Sequence, residues 1–88
     1  VSWTLVPGGA EVTIVVPGEA TAEVAGSWDD WRPRAMTRTR AGWTLTMRLP
    51  SGTHRLAVRR GGGAWAPPRG LPVSRDEFGG ASGLLVVP

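Results

Sequence analysis

Reversal signals punctuate this chain so densely that no helix of useful length fits between them. They read PGGA at 7–10, PGE at 17–19, GSWDDWRP at 26–33 and RAG at 40–42. PSG at 50–52, GGG at 61–63, PPRG at 67–70 and GGASG at 79–83 follow. Glycine reaches backbone angles that other residues avoid, and proline fixes φ and removes a donor. Both therefore end helices and turn strands. Between the reversals lie runs of about five to eight residues, the usual strand length.

Those runs alternate. In WTLTMRL, Trp43, Leu45, Met47 and Leu49 face one way and Thr44, Thr46 and Arg48 the other. EVTIVV puts Val12, Ile14 and Val16 on one side, and HRLAVRR puts Leu56 and Val58 inside with Arg55, Ala57 and Arg59 outside. Period two means a strand with one buried face. VSWTLV at the start and GLLVV near the end also read as strands, and RAMTRT reads as a weaker one. Seven or eight short strands joined by regular turns make an all-β, antiparallel sandwich. At 88 residues the chain is one domain, 1–88, with a thin core to which its five tryptophans contribute heavily.

Composition narrows the chemistry. The chain has no cysteine, which excludes disulfides and thiolate metal sites, and only one histidine, His54, which excludes histidine-cluster metal sites. No cofactor is expected. The net charge of +3 comes from ten arginines with no lysine. Beside so much Gly, Ala, Pro and Val, that usage reads as composition bias and not as a specific basic surface. No signal-peptide pattern and no membrane-length apolar run is present. This favours a cytoplasmic setting with no transmembrane segment. The chain opens at Val1 without a methionine, which leaves room for an anchor or an enzyme domain outside these residues.

Enzymatic signatures are missing. Asp29 and Asp30 are neighbours, and neighbours on an extended chain point to opposite faces; in a turn, aspartate bonds its own backbone. Asp76 and Glu77 read the same way. His54 begins a strand, and no G-x-S-x-G nucleophile motif accompanies it. The GGG at 61–63 lacks the Lys and Ser/Thr of a phosphate loop and reads as a hairpin turn. Arg48, Arg55 and Arg59 on outward faces, with Trp31 or Trp65 nearby, would suit single-stranded nucleic acid. With no nucleic-acid motif, however, they read as a solvated sheet face, and no specific nucleic-acid binding is expected.

The tryptophans divide. Trp43 heads an alternating apolar face and belongs to the core. Trp3 shares the buried phase of the first strand with Val1 and Leu5. Trp28 and Trp31 lie in one turn and do not both point inward. Trp65 follows GGGA and precedes APP, a poor place for a core residue. Trp31 and Trp65 are therefore candidates for exposure, and exposed tryptophan marks binding surfaces.

Four segments in order carry a resemblance. VAGSWDDW resembles the V-x-G-S/D-F-N-x-W signature of the family 48 carbohydrate-binding modules. That family includes the glycogen-binding domain of the AMP-activated protein kinase β subunit and the N-terminal domains of branching and debranching enzymes. GWTLTMRLPSGTHRLAV is similar to the family's W-x-x-x-(x)-L-P-x-G-x-Y/H-x-Y-K-F hairpin. GGGAWAPP is similar to its V-D-G-x-W-x-x-D-P turn, and FGGASGLLVV to its closing F/L-G-x-x-N-N-x-(x)-x-V. The match covers residues 12 to 87. It implies an immunoglobulin-like, early-set sandwich and a non-catalytic module that binds α-1,4-glucan. By resemblance, Trp31 and Trp65 are the two rings that stack on sugar, Phe78 is a third and smaller apolar contact, and Trp28 packs into the core.

The departures bear on the polar half of such a site. The family's sugar-bonding lysine falls at Ala57, its asparagine at Gly83 and a nearby threonine at Gly80, and the turn around Gly61–Ala64 is one residue longer. Stacking alone, by analogy with bases, is worth roughly 1–3 kcal/mol per ring. That implies weak glucan binding unless Arg55, Arg59 or Asp30 supplies polar contacts. The alternative is a domain that has lost sugar binding and serves a larger protein assembly, with the same Trp and Arg residues as interface anchors.

Overall fold

The computed structural model describes residues 1–77 and 80–88. The strands are β1 (Ser2–Val6), β2 (Gly9–Val16), β3 (Ala22–Gly26), β4 (Arg34–Ala35), β5 (Thr37–Thr39), β6 (Gly42–Pro50), β7 (Gly52–Arg60), β8 (Val73–Arg75) and β9 (Ala81–Val87), with one 3-10 turn at Ser27–Asp29. They form two antiparallel sheets, one ordered β1-β2-β6-β5 and the other β4-β3-β7-β9-β8. This is an immunoglobulin-like β-sandwich. The strand count exceeds the expected seven or eight because β4, β5 and β8 are only two or three residues long. β4 and β5 come from the single weak run RAMTRT. Met36 between them is buried, and its N–H donates to the Ala22 carbonyl at 3.1 Å. There the chain leaves one sheet for the other. No helix among the described residues is long and apolar enough to cross a membrane.

The alternating runs supply the core. Ala10, Val12, Ile14, Val16 and Leu49 come from the four-stranded sheet, and Ala22, Val24, Leu56, Leu85 and Val87 from the other. Ile14, Leu56, Val12 and Val24 are the largest fully buried side chains, each worth about 1.5–3 kcal/mol of transfer free energy. Trp43, Leu45, Met47 and Trp28 pack against this core while partly exposed. The Trp28 ring covers Gly26 so closely that a Cβ there would lie 2.2 Å from ring atoms. Trp28 thus closes one margin of the core, as the resemblance implied. His54 is buried; its Nε2–H donates to the Pro50 carbonyl at 2.8 Å, and its ring meets Trp28 edge-on at 6.4 Å.

Three expectations change. Trp3 pairs with Val12 and Leu5 with Ala10, so both rest on the core side, yet they are 40 % and 63 % exposed. β1 is an edge strand whose main neighbour is β2, and the opposite sheet does not cover it. Next, β6 and β7 are not a hairpin pair. β6 pairs with β2 and β5, while β7 pairs with β3 and β9, so Pro50–Gly52 carries the chain between sheets. The arginine stripe divides for the same reason. Arg48 lies opposite Glu11 in the four-stranded sheet, while Arg55 and Arg59 belong to the other.

Candidate functional site

The outward face of the five-stranded sheet carries a groove of about 580 Å³. Its floor follows from period two on β7, which turns Arg55, Ala57 and Arg59 away from the core. The register sets Ala25 of β3 opposite Ala57. Both alanines are buried, at 4 % and 5 % exposure, although they face outward. Side chains beside these alanines make the groove walls. Trp31 and Pro33 form part of those walls, and Trp65 another part.

The two tryptophans arrive from opposite edges of β7. Trp31 sits in the loop after β3, which pairs along one edge. Trp65 precedes Ala66, whose N–H and carbonyl both bond Val58 at 2.8 Å along the other edge. That bridge turns the chain back after the glycines at 61–63, the hairpin read from the sequence. Trp31 is 43 % exposed and Trp65 37 %.

The 27–34 loop is tightly specified. Asp30 and Trp31 both take left-handed backbone, each with φ of 60°. For a bulky non-glycine residue this is a strained position, costing about 1–3 kcal/mol, and it persists only where the surroundings enforce it. They do so here through several bonds. The Trp31 N–H donates to the Gly26 carbonyl at 2.9 Å. Arg34 Nε donates to Asp29 Oδ2 at 2.8 Å, closing the loop across its mouth. The Arg55 N–H donates to Ser27 Oγ at 3.0 Å and ties the loop to β7. The aspartates therefore shape the turn, one through its ion pair and one through its backbone. Asp30, a candidate contact from sequence, is not among the residues lining the groove.

Trp65 is held differently. The Arg59 guanidinium carbon lies over its ring, 4.6 Å from the centroid, and Arg59 Nε donates to Glu23 Oε1 at 2.8 Å. Trp65 lines the groove and Arg59 does not, so Arg59 supports the ring from outside the groove. Arg55 alone of the polar candidates lines it. Phe78 lies outside the described residues.

Of the remaining lining, the sequence singles out Asp76, as a turn carboxylate, and Gly80, at the family's threonine position, but not Ser74, Arg75, Ala81 or Ser82. Ser74 and Arg75 come from β8, Ala81 and Ser82 from β9, and Asp76 and Gly80 from the turn between them. Asp76 Oδ1 accepts the Gly80 N–H at 2.8 Å, and the Asp76 N–H donates to the Gly80 carbonyl at 2.9 Å, so this carboxylate organises the turn. Gly83 faces the interior. It pairs with Leu56, and a Cβ there would meet Pro68 at 2.9 Å and Leu71 at 3.0 Å. A polar side chain at 83 would not reach the groove. From β9 the polar residue that does is Ser82. Among the described residues no group of three or more His, Asp or Glu side chains is placed to hold a metal ion.

No protein-family model matches the chain, and no curated protein matches it significantly.

Proposed function

We propose that this domain is a non-catalytic module that takes a segment of α-1,4-glucan in the groove between Trp31 and Trp65. The observation that carries this reading is the pairing of those two exposed rings in the walls of one groove over an alanine floor. A pyranose has an apolar C–H face, and an indole offers a flat apolar surface with a negative π face, so the two stack. Ala25 and Ala57 leave room for a sugar ring to approach the sheet. The strained backbone at Trp31 and the Arg59 brace on Trp65 support the reading too. They hold both rings before any ligand arrives, which lowers the cost of binding. The resemblance to family 48 modules selects an α-glucan among possible sugars.

A second reading, a domain that docks on a protein assembly, draws on one observation. Trp3 and Leu5 form a further exposed apolar strip on the edge strand β1. Titration of the domain with maltooligosaccharide, followed by tryptophan fluorescence, separates the two. Glucan binding gives a saturable change at millimolar sugar that is lost in Trp31→Ala and in Trp65→Ala, with the far-ultraviolet dichroism of the fold retained. A wild-type domain silent to every maltooligosaccharide, but captured with a partner whose binding needs Trp3, establishes the second reading instead.

A further inference from the structure

The groove's strongest hydrogen-bond donors are two guanidinium groups, and we infer that the glucan it prefers carries an anionic substituent, a phosphate ester or a carboxylate. The inference rests on the glucan-binding reading above and specifies the ligand class of that site.

Arg55 from β7 and Arg75 from β8 both line the groove. Three other arginines are engaged in ion pairs, Arg34 with Asp29, Arg38 with Glu19 and Arg59 with Glu23. Among the described residues neither Arg55 nor Arg75 is in such a pair. Asp76 is the carboxylate that lines the groove, and its Oδ1 accepts the Gly80 N–H. Two cations and one anion thus line the groove. The other polar side chains there are Ser74 and Ser82, which suit neutral hydroxyls.

Arginine donates to the hydroxyls of a neutral sugar, but it is better matched to an anion. It is donor-only, and its planar fork fits the paired oxygens of a carboxylate or phosphate. Hydrogen bonds with both partners charged are roughly twice as strong as neutral ones. The chain's net charge of +3 adds a long-range attraction for the same ligands. Tryptophan stacking holds the ring and is indifferent to the substituent; the arginines then discriminate.

The test uses one maltodextrin in three forms: unmodified, phosphorylated, and oxidised at C6 to the carboxylate. Each is titrated into the domain at low and at high salt. The expected result is at least tenfold tighter binding of one or both anionic forms at low salt, shrinking as salt rises. The two modified forms separate phosphate from carboxylate as the source. Arg55→Gln and Arg75→Gln should each reduce that preference, and the double variant should abolish it, so that the three forms bind alike. Equal binding of all three forms overturns the inference and leaves the glucan reading standing. So does a preference that survives in the double arginine variant. Silence towards all three forms overturns both.

Discussion

Trp31 and Trp3 expose nearly the same fraction of themselves, 43 % and 40 %, and are exposed for different reasons. Trp3 lies on the core side of its sheet, opposite Val12, but on an edge strand that the second sheet does not cover. Its exposure is a shortage of cover. Trp31 is held out by left-handed backbone, by a bond from its own N–H to Gly26 and by an ion pair across the base of its loop. Its exposure is enforced against a local energetic cost. An exposed ring is therefore informative about binding when the structure works to keep it exposed, and much less so when it has only run out of neighbours.

The strongest way to break the distinction is to cut the platform from the core that supports it. Gly26 has ordinary extended backbone, with φ of −154°, so a side chain there costs space and not strain. A Cβ would lie 2.2 Å from the Trp28 ring. In Gly26→Val the ring must move, and with it the loop that starts beside it. Overpacking of this kind costs about 3 kcal/mol, the upper part of its usual range. For a domain this small that is a fall in Tm of roughly 15 °C. Thermal unfolding checks the cost. Titration at low temperature, where the fold persists, should show sugar binding lost as well. A variant that melts normally and binds normally would mean that the Trp31 loop does not depend on the core at all.

The same substitution at the two rings sharpens the contrast. In Trp31→Gly the loss of a half-exposed ring and the chain-entropy cost of glycine, about 0.5–1 kcal/mol, are opposed by relief of the left-handed backbone, about 1–2 kcal/mol. Stability should stay within about 1 kcal/mol of wild type, while glucan affinity falls at least about fivefold, in line with about 1–3 kcal/mol of stacking. In Trp3→Gly no strain is relieved and a strand loses its cross-strand contact, so stability should fall by about 2 kcal/mol with affinity unchanged within twofold. Urea unfolding beside sugar titration reads both quantities. If Trp31→Gly is the more destabilising of the two, the loop is a structural prop and the platform reading fails.

Much of this contrast was hidden in the sequence, and the reason is physical. Alternation states which face of a strand a side chain takes. It does not state whether another sheet covers that face. Val12 and Trp3 obey the same rule, and only Val12 is covered. Turn chemistry had the opposite virtue: GSWDDWRP and GGGAWAPP were legible as reversals, where Trp28 and Trp31 do not both point inward and Trp65, before APP, is poorly placed for the core. Trp31 and Trp65 were found that way, and Arg55 by its outward phase on β7. Arg75, Ser74 and Ser82 were missed. β8 is three residues long, too short to show a period, and its pairing with β9 is a tertiary fact. The resemblance set Gly83 at a sugar-bonding position, but pairing with Leu56 turns it inward. Ala57 looked like an absence of chemistry. In the fold it is half of a floor.

The smallest effect tests whether Trp65 is held as firmly as Trp31. Its support is a single guanidinium over the ring, at 4.6 Å, steadied by Glu23. Arg59→Met keeps most of the side-chain length and removes the charge. The lost cation–π contact is worth about 0.5–1 kcal/mol, and a partly exposed ion pair such as Arg59–Glu23 contributes at most about as much. Glucan affinity should therefore weaken about twofold to fivefold, and stability should fall by about 0.5–2 kcal/mol. No change in affinity would mean that the Val58–Ala66 bridge alone sets the ring, and the platform would have one braced wall instead of two. A loss as large as that of Trp65→Ala would mean that Arg59 touches the sugar itself. The brace would then be part of the site, and the groove would extend past Trp65 towards Glu23.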